Sequence, residues 1–202
     1  MRIEIFDKLA TLFEENGYRL YMIGGTSRDF LLNRDVLDYD FVTDAKPVEM
    51  KKFLPEANYR FEMFGTVRLK IDGKHIDITT LRKEGRYQDS RHPSKIEFTL
   101  KLEEDYVRRD FTINAIYIDK NYEIIDFCGG FQDLKDKIIR FIGDPIKRVE
   151  EDPLRILRGE RFAYKLGFKI EEKTKYAFDS KRDLLEKLNP EKIKEENAKY
   201  LK

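Results

Sequence analysis

Two alternating runs, TVRLKID over residues 66–72 and HIDITT over residues 75–80, joined around Asp72-Gly73, most constrain what this chain can fold into. A period of two sends successive side chains to opposite faces of a strand. An Asp-Gly pair at the join tolerates the positive φ that a tight hairpin needs. An antiparallel hairpin is therefore built in, and an all-helical fold is excluded. The other segments arrange themselves around it. Residues 3–16 carry Phe6, Leu9, Leu12 and Phe13 at helical spacing, and Gly17 stops the helix. RLYMI reads as a buried strand running into Gly24-Gly25, and TSRDFLLN returns to helix with Thr26 as its expected N-cap. DYDFVT, from Asp38, is a second strand, and Pro47 opens a short helix. A short helix and the run RRDFTINA lead to two more strands, AIYID and EIID, and the β-rich character ends near Ile142.

From about Asp144 the pattern is helical, with an apolar stripe of Leu154, Leu157, Phe162 and Leu166 ended by Gly167. Further helices are expected over 171–181 and 191–201. The fold class is thus α+β, with a head over residues 1–142 followed by an all-helical segment over residues 143–202. Residues 82–95 (RKEGRYQDSRHPSK) read as a polar loop, of a length that inside a compact domain is functional or disordered.

Charge does not identify the partner. Lys and Arg number 40 against 39 acids, so any contact with nucleic acid must come from local charge placement. The single cysteine, Cys128, excludes an internal disulfide framework and a cysteine-based zinc site. His75 and His92 are too far apart in sequence to suggest a histidine metal site. The first ten residues carry charges throughout, and no apolar run approaches the roughly 18 residues of a membrane span. The expectation is a cytoplasmic protein with no membrane partner.

Chemistry concentrates in the first strands. Asp38 and Asp40 are two apart on a strand, so their carboxylates share a face and can converge on a pair of hard cations suited to in-line phosphoryl displacement. A bare Asp-x-Asp taken alone is better explained by an exposed strand face or turn. What precedes it narrows the choice. Gly24-Gly25 sits where a strand ends and a helix opens, and a helix N-terminus offers N–H groups to phosphate. Arg28, one turn in, can add a charge-assisted contact to a triphosphate, or can pair with Asp29 on the helix surface. Asp77 lies between Ile76 and Ile78 and faces away from them. It can act as a third ligand, as the base for the attacking hydroxyl, or as a solvent-facing strand residue.

Gly24-Gly25-x-x-Arg28-Asp29 followed by Asp38-x-Asp40 resembles the active-site motif of the polymerase-β-like nucleotidyltransferases. Arg108-Arg109-Asp110-Phe111-Thr112-Ile113-Asn114-Ala115 resembles the second motif of one branch, the tRNA nucleotidyltransferases of the bacterial and eukaryotic class together with the related poly(A) polymerases. Glu151-Asp152-Pro153-Leu154-Arg155-Ile156-Leu157-Arg158 is similar to that branch's base-recognition helix. The three motifs stand in the family's order and spacing, and the match covers essentially residues 15–170. The resemblance implies a polymerase-β-like head and a helical neck that add nucleotides to RNA without a template. The expected activity is addition of CCA to a tRNA 3′ end from CTP and ATP, with two Mg²⁺ ions held by Asp38 and Asp40. Poly(A) addition, or A-only or CC-only addition, is the alternative.

The same resemblance assigns roles. Arg108 and Arg109 supply positive charge, Asp110 accepts from a ribose hydroxyl, and Asn114 braces the turn; local salt bridges at a helix start are a reasonable reading of Arg108 and explain the whole octet less well. Asp152 and Arg155, three apart on an expected helix, share a face and read the base, supported by Glu151 and Arg158. Without the resemblance Asp152 and Arg155 are a surface ion pair. Glu84–Arg91 resembles the loop that full CCA-adding enzymes need to switch to ATP. Asn189–Glu196 resembles the last neck motif, with Lys192 where Arg is usual. Gly159 departs from the small helix former expected there, for close packing or for bending. The family continues into body and tail domains that grip tRNA, so the chain is expected to be a catalytic core or a short enzyme that holds RNA differently.

Overall fold

The computed structural model describes residues 2–84 and 96–200. Contacts group them into two units. The first holds residues 2–84, 96–108 and 114–127, and the second holds residues 109–113 and 128–200. This grouping assigns Cys128–Ile142 to the second unit, where the sequence suggested the first.

In the first unit α1 (Glu4–Glu15) buries Phe6, Leu9 and Phe13, the stripe expected from spacing. β1 (Leu20–Met22) runs into α2 (Gly24–Leu31), then β2 (Tyr39–Thr43) and α3 (Pro47–Met50). β3 (Thr66–Ile71) and β4 (Lys74–Thr80) form the expected hairpin, and Asp72 and Gly73 at its tip have φ of 50° and 78°. β5 (Arg82–Glu84) pairs with β6 (Ile96–Phe98). Thus the loop expected to begin at residue 82 starts instead as a strand, because Arg82, Lys83 and Glu84 find partners beyond the loop. α4 (Leu102–Asp105), β7 (Tyr117–Ile118) and β8 (Ile124–Ile125) complete the unit.

The main sheet has the order β3-β4-β2-β1-β7-β8, with β2 and β4 parallel and the other neighbours antiparallel. One face carries Met22, Phe41, Val67, Ile76 and Ile78 into a core shared with α1. Period two then sends Asp40, Asp77 and Arg68 to the opposite face, where the register Asp40↔Asp77↔Arg68 sets them in one row.

The second unit contains α5 (Gly130–Asp136), β9 (Ile138–Ile139), α6 (Pro145–Glu151), α7 (Leu154–Leu166), β10 (Lys169–Ile170), α8 (Glu172–Ser180) and α9 (Pro190–Ala198). The region is helical as expected, except that Lys169 and Ile170 pair in parallel with Ile138 and Ile139. Asp144 caps α6, its Oδ1 accepting from the Ile146 and Lys147 amides at 2.9 and 3.1 Å. The core is aromatic. Phe111 stacks on Phe141 with centroids 4.7 Å apart, and Phe178 meets Phe141 edge-on at 5.5 Å. Gly159 faces these rings: an ideal Cβ there would lie 2.4 Å from Phe178 Cζ and 2.8 Å from Phe111 Cζ. Close packing is therefore what this glycine serves.

Candidate active site

In the first unit the glycine pair and the acidic pair meet. Gly24 has φ of +64°, which turns the chain out of β1 and into α2. An ideal Cβ on Gly24 would stand 3.2 Å from Asp40 Oδ2, and one on Gly25 3.7 Å from both Asp40 Oδ2 and Arg28 Nη2. Both glycines thus leave a hollow beside the Asp40 carboxylate. Among the described residues no side chain caps the N-terminus of α2, and its first turn holds no acid. Thr26, expected as that cap, lies inside the helix and is fully buried. The cap position falls to Ile23, three residues earlier, since the chain turns into the helix at Gly24 with its positive φ. The Thr26 hydroxyl instead accepts from the Asp40 amide at 2.6 Å and donates to the Asp38 carbonyl at 3.3 Å.

Asp40 is half-buried in β2, and Asp38 is exposed at the bend before it. Arg28 is buried rather than on the helix surface. Its Nε and Nη2 donate to the two Asp29 oxygens, each at 2.9 Å, and its Nη1 donates to Asn114 Oδ1 at 2.9 Å. Asn114 therefore braces Arg28, 86 residues away in sequence. Asp77 accepts from Arg68 Nε and Nη2 at 2.9 and 3.2 Å, and Arg68 also lies over the Phe61 ring at 4.7 Å. Among the described residues no three His, Cys, Asp or Glu side chains gather as a metal-sized set. The acids expected as ligands thus remain the pair Asp38 and Asp40.

The second unit carries the other predicted residues. The Asp110 side chain is 10% exposed, with Oδ1 accepting from the Phe111 amide at 2.7 Å and Oδ2 from Arg158 Nε and Nη2 at 2.9 and 2.6 Å. Burial pushes its carboxyl up, but the Arg158 charge and bonds, the Phe111 amide and the Arg155 charge overcome that and hold it at about 2. Arg109 offers its carbonyl to Arg148. Asp152 and Arg155 do not share a helix. Asp152 is extended, with φ of −151° and ψ of 96°, in a break between α6 and α7. Pro153 causes the break, since proline disfavours the helical region for the residue before it. Asp152 Oδ1 accepts from the Leu154 amide at 3.1 Å. Arg155 is buried, and its Nη1 donates to Glu151 Oε2 and to the Arg148 carbonyl, both at 2.8 Å. Arg155 thus enters an internal network with Glu151 and the Arg148 carbonyl.

Sequence reading missed Thr26 as a tie to the acids, and it missed Asp105. Asp105 is fully buried and accepts from the Arg82 amide, Arg108 Nε and Tyr117 Oη at 3.2, 2.9 and 2.8 Å. Its position inside an acidic run, LEED, disguised it as a surface charge. Nearly the whole expected switching loop, from Gly85 to Arg91, lies outside the described residues.

A family model described as the Poly A polymerase head domain matches residues 20–140. The chain belongs to this family. Within the poly(A) polymerase head-domain family, a CCA-adding enzyme of Lactobacillus helveticus is 43% identical over 197 residues, which is 98% of this chain and 49% of the relative. The Bacillus stearothermophilus CCA-adding enzyme in complex with CTP superposes with a TM-score of 0.87 at 34% identity, over 96% of this chain and 47% of that one. A tRNA nucleotidyltransferase complexed with a primer tRNA and an incoming ATP analog gives a TM-score of 0.78 at 36% identity, over 94% and 55% of the two chains. The chain spans about half the length of the curated relatives it matches. No helix among the described residues is long and apolar enough to cross a membrane.

Proposed function

We propose that this chain forms the catalytic head and neck of a tRNA nucleotidyltransferase, which adds C, C and A to a tRNA 3′ end from CTP and ATP and releases pyrophosphate at each step. The observation that carries this reading is the Asp40 carboxylate set against Gly24 and Gly25 at the uncapped start of α2, with Asp77 beside it in register. Kinship with CCA-adding enzymes, one of them solved with CTP and another relative with primer tRNA, supports the choice of substrates. A cytoplasmic location, where tRNA ends are matured, belongs to the same reading.

The residues fit Mg²⁺, because Asp38 and Asp40 offer only oxygen donors and the glycines keep side chains out of the hollow. Bound there, the cations supply activation of the 3′ hydroxyl and charge neutralisation on the triphosphate. The α2 amides and the positive charge of Arg28, pinned by Asp29 and Asn114, orient the phosphates. Asp77, in register with Asp40 and bonded by Arg68, adds a third carboxylate beside the pair. Asp110 stays ionised throughout the physiological range and can accept from a ribose 2′ hydroxyl, which distinguishes NTP from dNTP. Arg155 and Asp152 read the base edge, with Glu151 and Arg158 holding the network from which they act.

The test uses tRNA transcripts ending before the first C, after one C and after both, with CTP and ATP supplied separately. The expected result is two CMP additions from CTP and one AMP addition only after the second C. Poly(A) extension of an unrelated RNA refutes CCA specificity. Asp40→Ala is expected to abolish incorporation with an unchanged circular dichroism spectrum, and surviving incorporation refutes the assignment of the acids.

A further inference from the structure

We propose that Thr26 is a positioning residue whose single hydroxyl holds the backbones of both Asp38 and Asp40, a role that rests on the assignment of these acids just given. The need for it comes from where β1 ends. β1 and β2 pair through Leu20–Thr43, Tyr21–Val42 and Met22–Phe41, and the Ile23 amide still donates to the Asp40 carbonyl at 3.1 Å. A regular antiparallel ladder would return a bond from the Asp40 amide to the Ile23 carbonyl. That carbonyl has turned away and accepts from the Ser27 amide at 3.4 Å, as the first acceptor of α2. The acidic end of β2 therefore outruns its neighbour on this edge, at the residues that carry the chemistry.

Thr26 replaces the missing rung. Its Oγ1 accepts from the Asp40 amide at 2.6 Å and donates to the Asp38 carbonyl at 3.3 Å, so one hydroxyl grips the strand on both sides of Tyr39. Thr26 is 0% exposed, which leaves no room for solvent to take over. The spacing of two carboxylates two residues apart follows the backbone torsions between them. A shift near 1 Å in such a constellation costs on the order of 10²-fold in rate. Thr26 also stands in the helix that opens with Gly24 and Gly25, so it fixes the phosphate-facing turn and the acids in one frame.

The test compares wild type, Thr26→Val, which keeps shape and loses the hydroxyl, and Thr26→Ser, which keeps the hydroxyl. CMP incorporation is measured as kcat and KM for CTP at graded Mg²⁺. Binding of Mn²⁺ alone is measured in parallel by electron paramagnetic resonance of the free ion. For Thr26→Val we expect kcat to fall by about 30-fold or more, KM for CTP to stay within about 3-fold, and the Mn²⁺ Kd to rise about 10-fold. Thr26→Ser should return all three to within about 3-fold of wild type. Should Thr26→Val not fold, Thr26→Cys, a weak hydrogen-bonding group of similar size, takes its place. The proposal is overturned by Thr26→Val with wild-type kcat and Mn²⁺ binding, or by Thr26→Ser as impaired as Thr26→Val. A wild type that binds no Mn²⁺ overturns it too. A wild type that binds Mn²⁺ but adds no nucleotide refutes the proposed reaction instead, and the Mn²⁺ series still decides Thr26.

Discussion

Replacing Gly159 with Ala sets two well-known effects against each other, and the structure says which wins. Glycine inside a helix costs about 1 kcal/mol relative to alanine, so helix propensity alone predicts that Gly159→Ala stabilises the protein. The new Cβ, however, would lie 2.4 Å from Phe178 Cζ and 2.8 Å from Phe111 Cζ. Neither ring has an easy escape, since Phe111 and Phe178 are 0% and 1% exposed and Phe141 packs against both. Overpacking of a rigid core costs about 1–3 kcal/mol, and two contacts this short belong at the upper end. The net expectation is a loss of about 2 kcal/mol, or a fall in Tm of about 4–8 °C for a chain of this size. Scanning calorimetry of wild type and variant measures it. Phe178→Leu in the same background should recover part of the loss, which a double-mutant cycle reads as a coupling between the two positions. A rise in Tm for Gly159→Ala would refute the packing argument, because propensity alone would then account for the result.

Gly24→Ala should lower incorporation and stability together, since the new Cβ meets Asp40 Oδ2 at 3.2 Å and φ of +64° costs a non-glycine residue about 1–2 kcal/mol; unchanged kcat and Tm would contradict this. Asp110 has a folded-state value of about 2, below its ordinary 3.8, so its contribution of ~2 kcal/mol is present above about pH 4 and is lost as pH falls toward 2. Urea midpoints for wild type and Asp110→Asn should therefore converge between those pH values, and a constant difference would disprove the linkage. Glu196→Ala removes the partner of buried Arg161, whose Nε donates to Glu196 Oε1 at 2.7 Å, and should destabilise the second unit by about 3 kcal/mol. A Tm within 2 °C of wild type would show that α9 contributes little to that unit.

The parts of this fold legible in the sequence are those with local causes. The hairpin followed from Asp72-Gly73, α1 from the spacing of Phe6, Leu9 and Phe13, and the end of α7 from Gly167. The glycine and acidic pairs could be joined into one hypothesis because only a short helix and turn separate them. What stayed hidden depends on the far side of a contact. Thr26 looks like an N-cap until β2 is placed beside it, and Asp105 looks solvated until the Arg82 amide, Arg108 and Tyr117 close around it. The break at Asp152 was visible in Pro153, yet the helical spacing of its neighbours outweighed it. Two-residue β10 has no periodicity to reveal it and exists only through Ile138 and Ile139.

The strand order β3-β4-β2-β1-β7-β8 has a consequence for how the protein is made. Asp40 and Asp77 become neighbours through a parallel pairing that no hairpin can nucleate, and β1 waits for β7, which is synthesised almost a hundred residues later. At about 5–20 residues per second, a ribosome takes roughly 5–20 s to deliver that last interior partner. During that interval β1 and β2 cannot complete their sheet, so the nascent chain carries its acids before it carries a finished fold. Topology thus completes the sheet around these acids late, and a prematurely terminated product ending before β7 would lack the finished sheet that holds them.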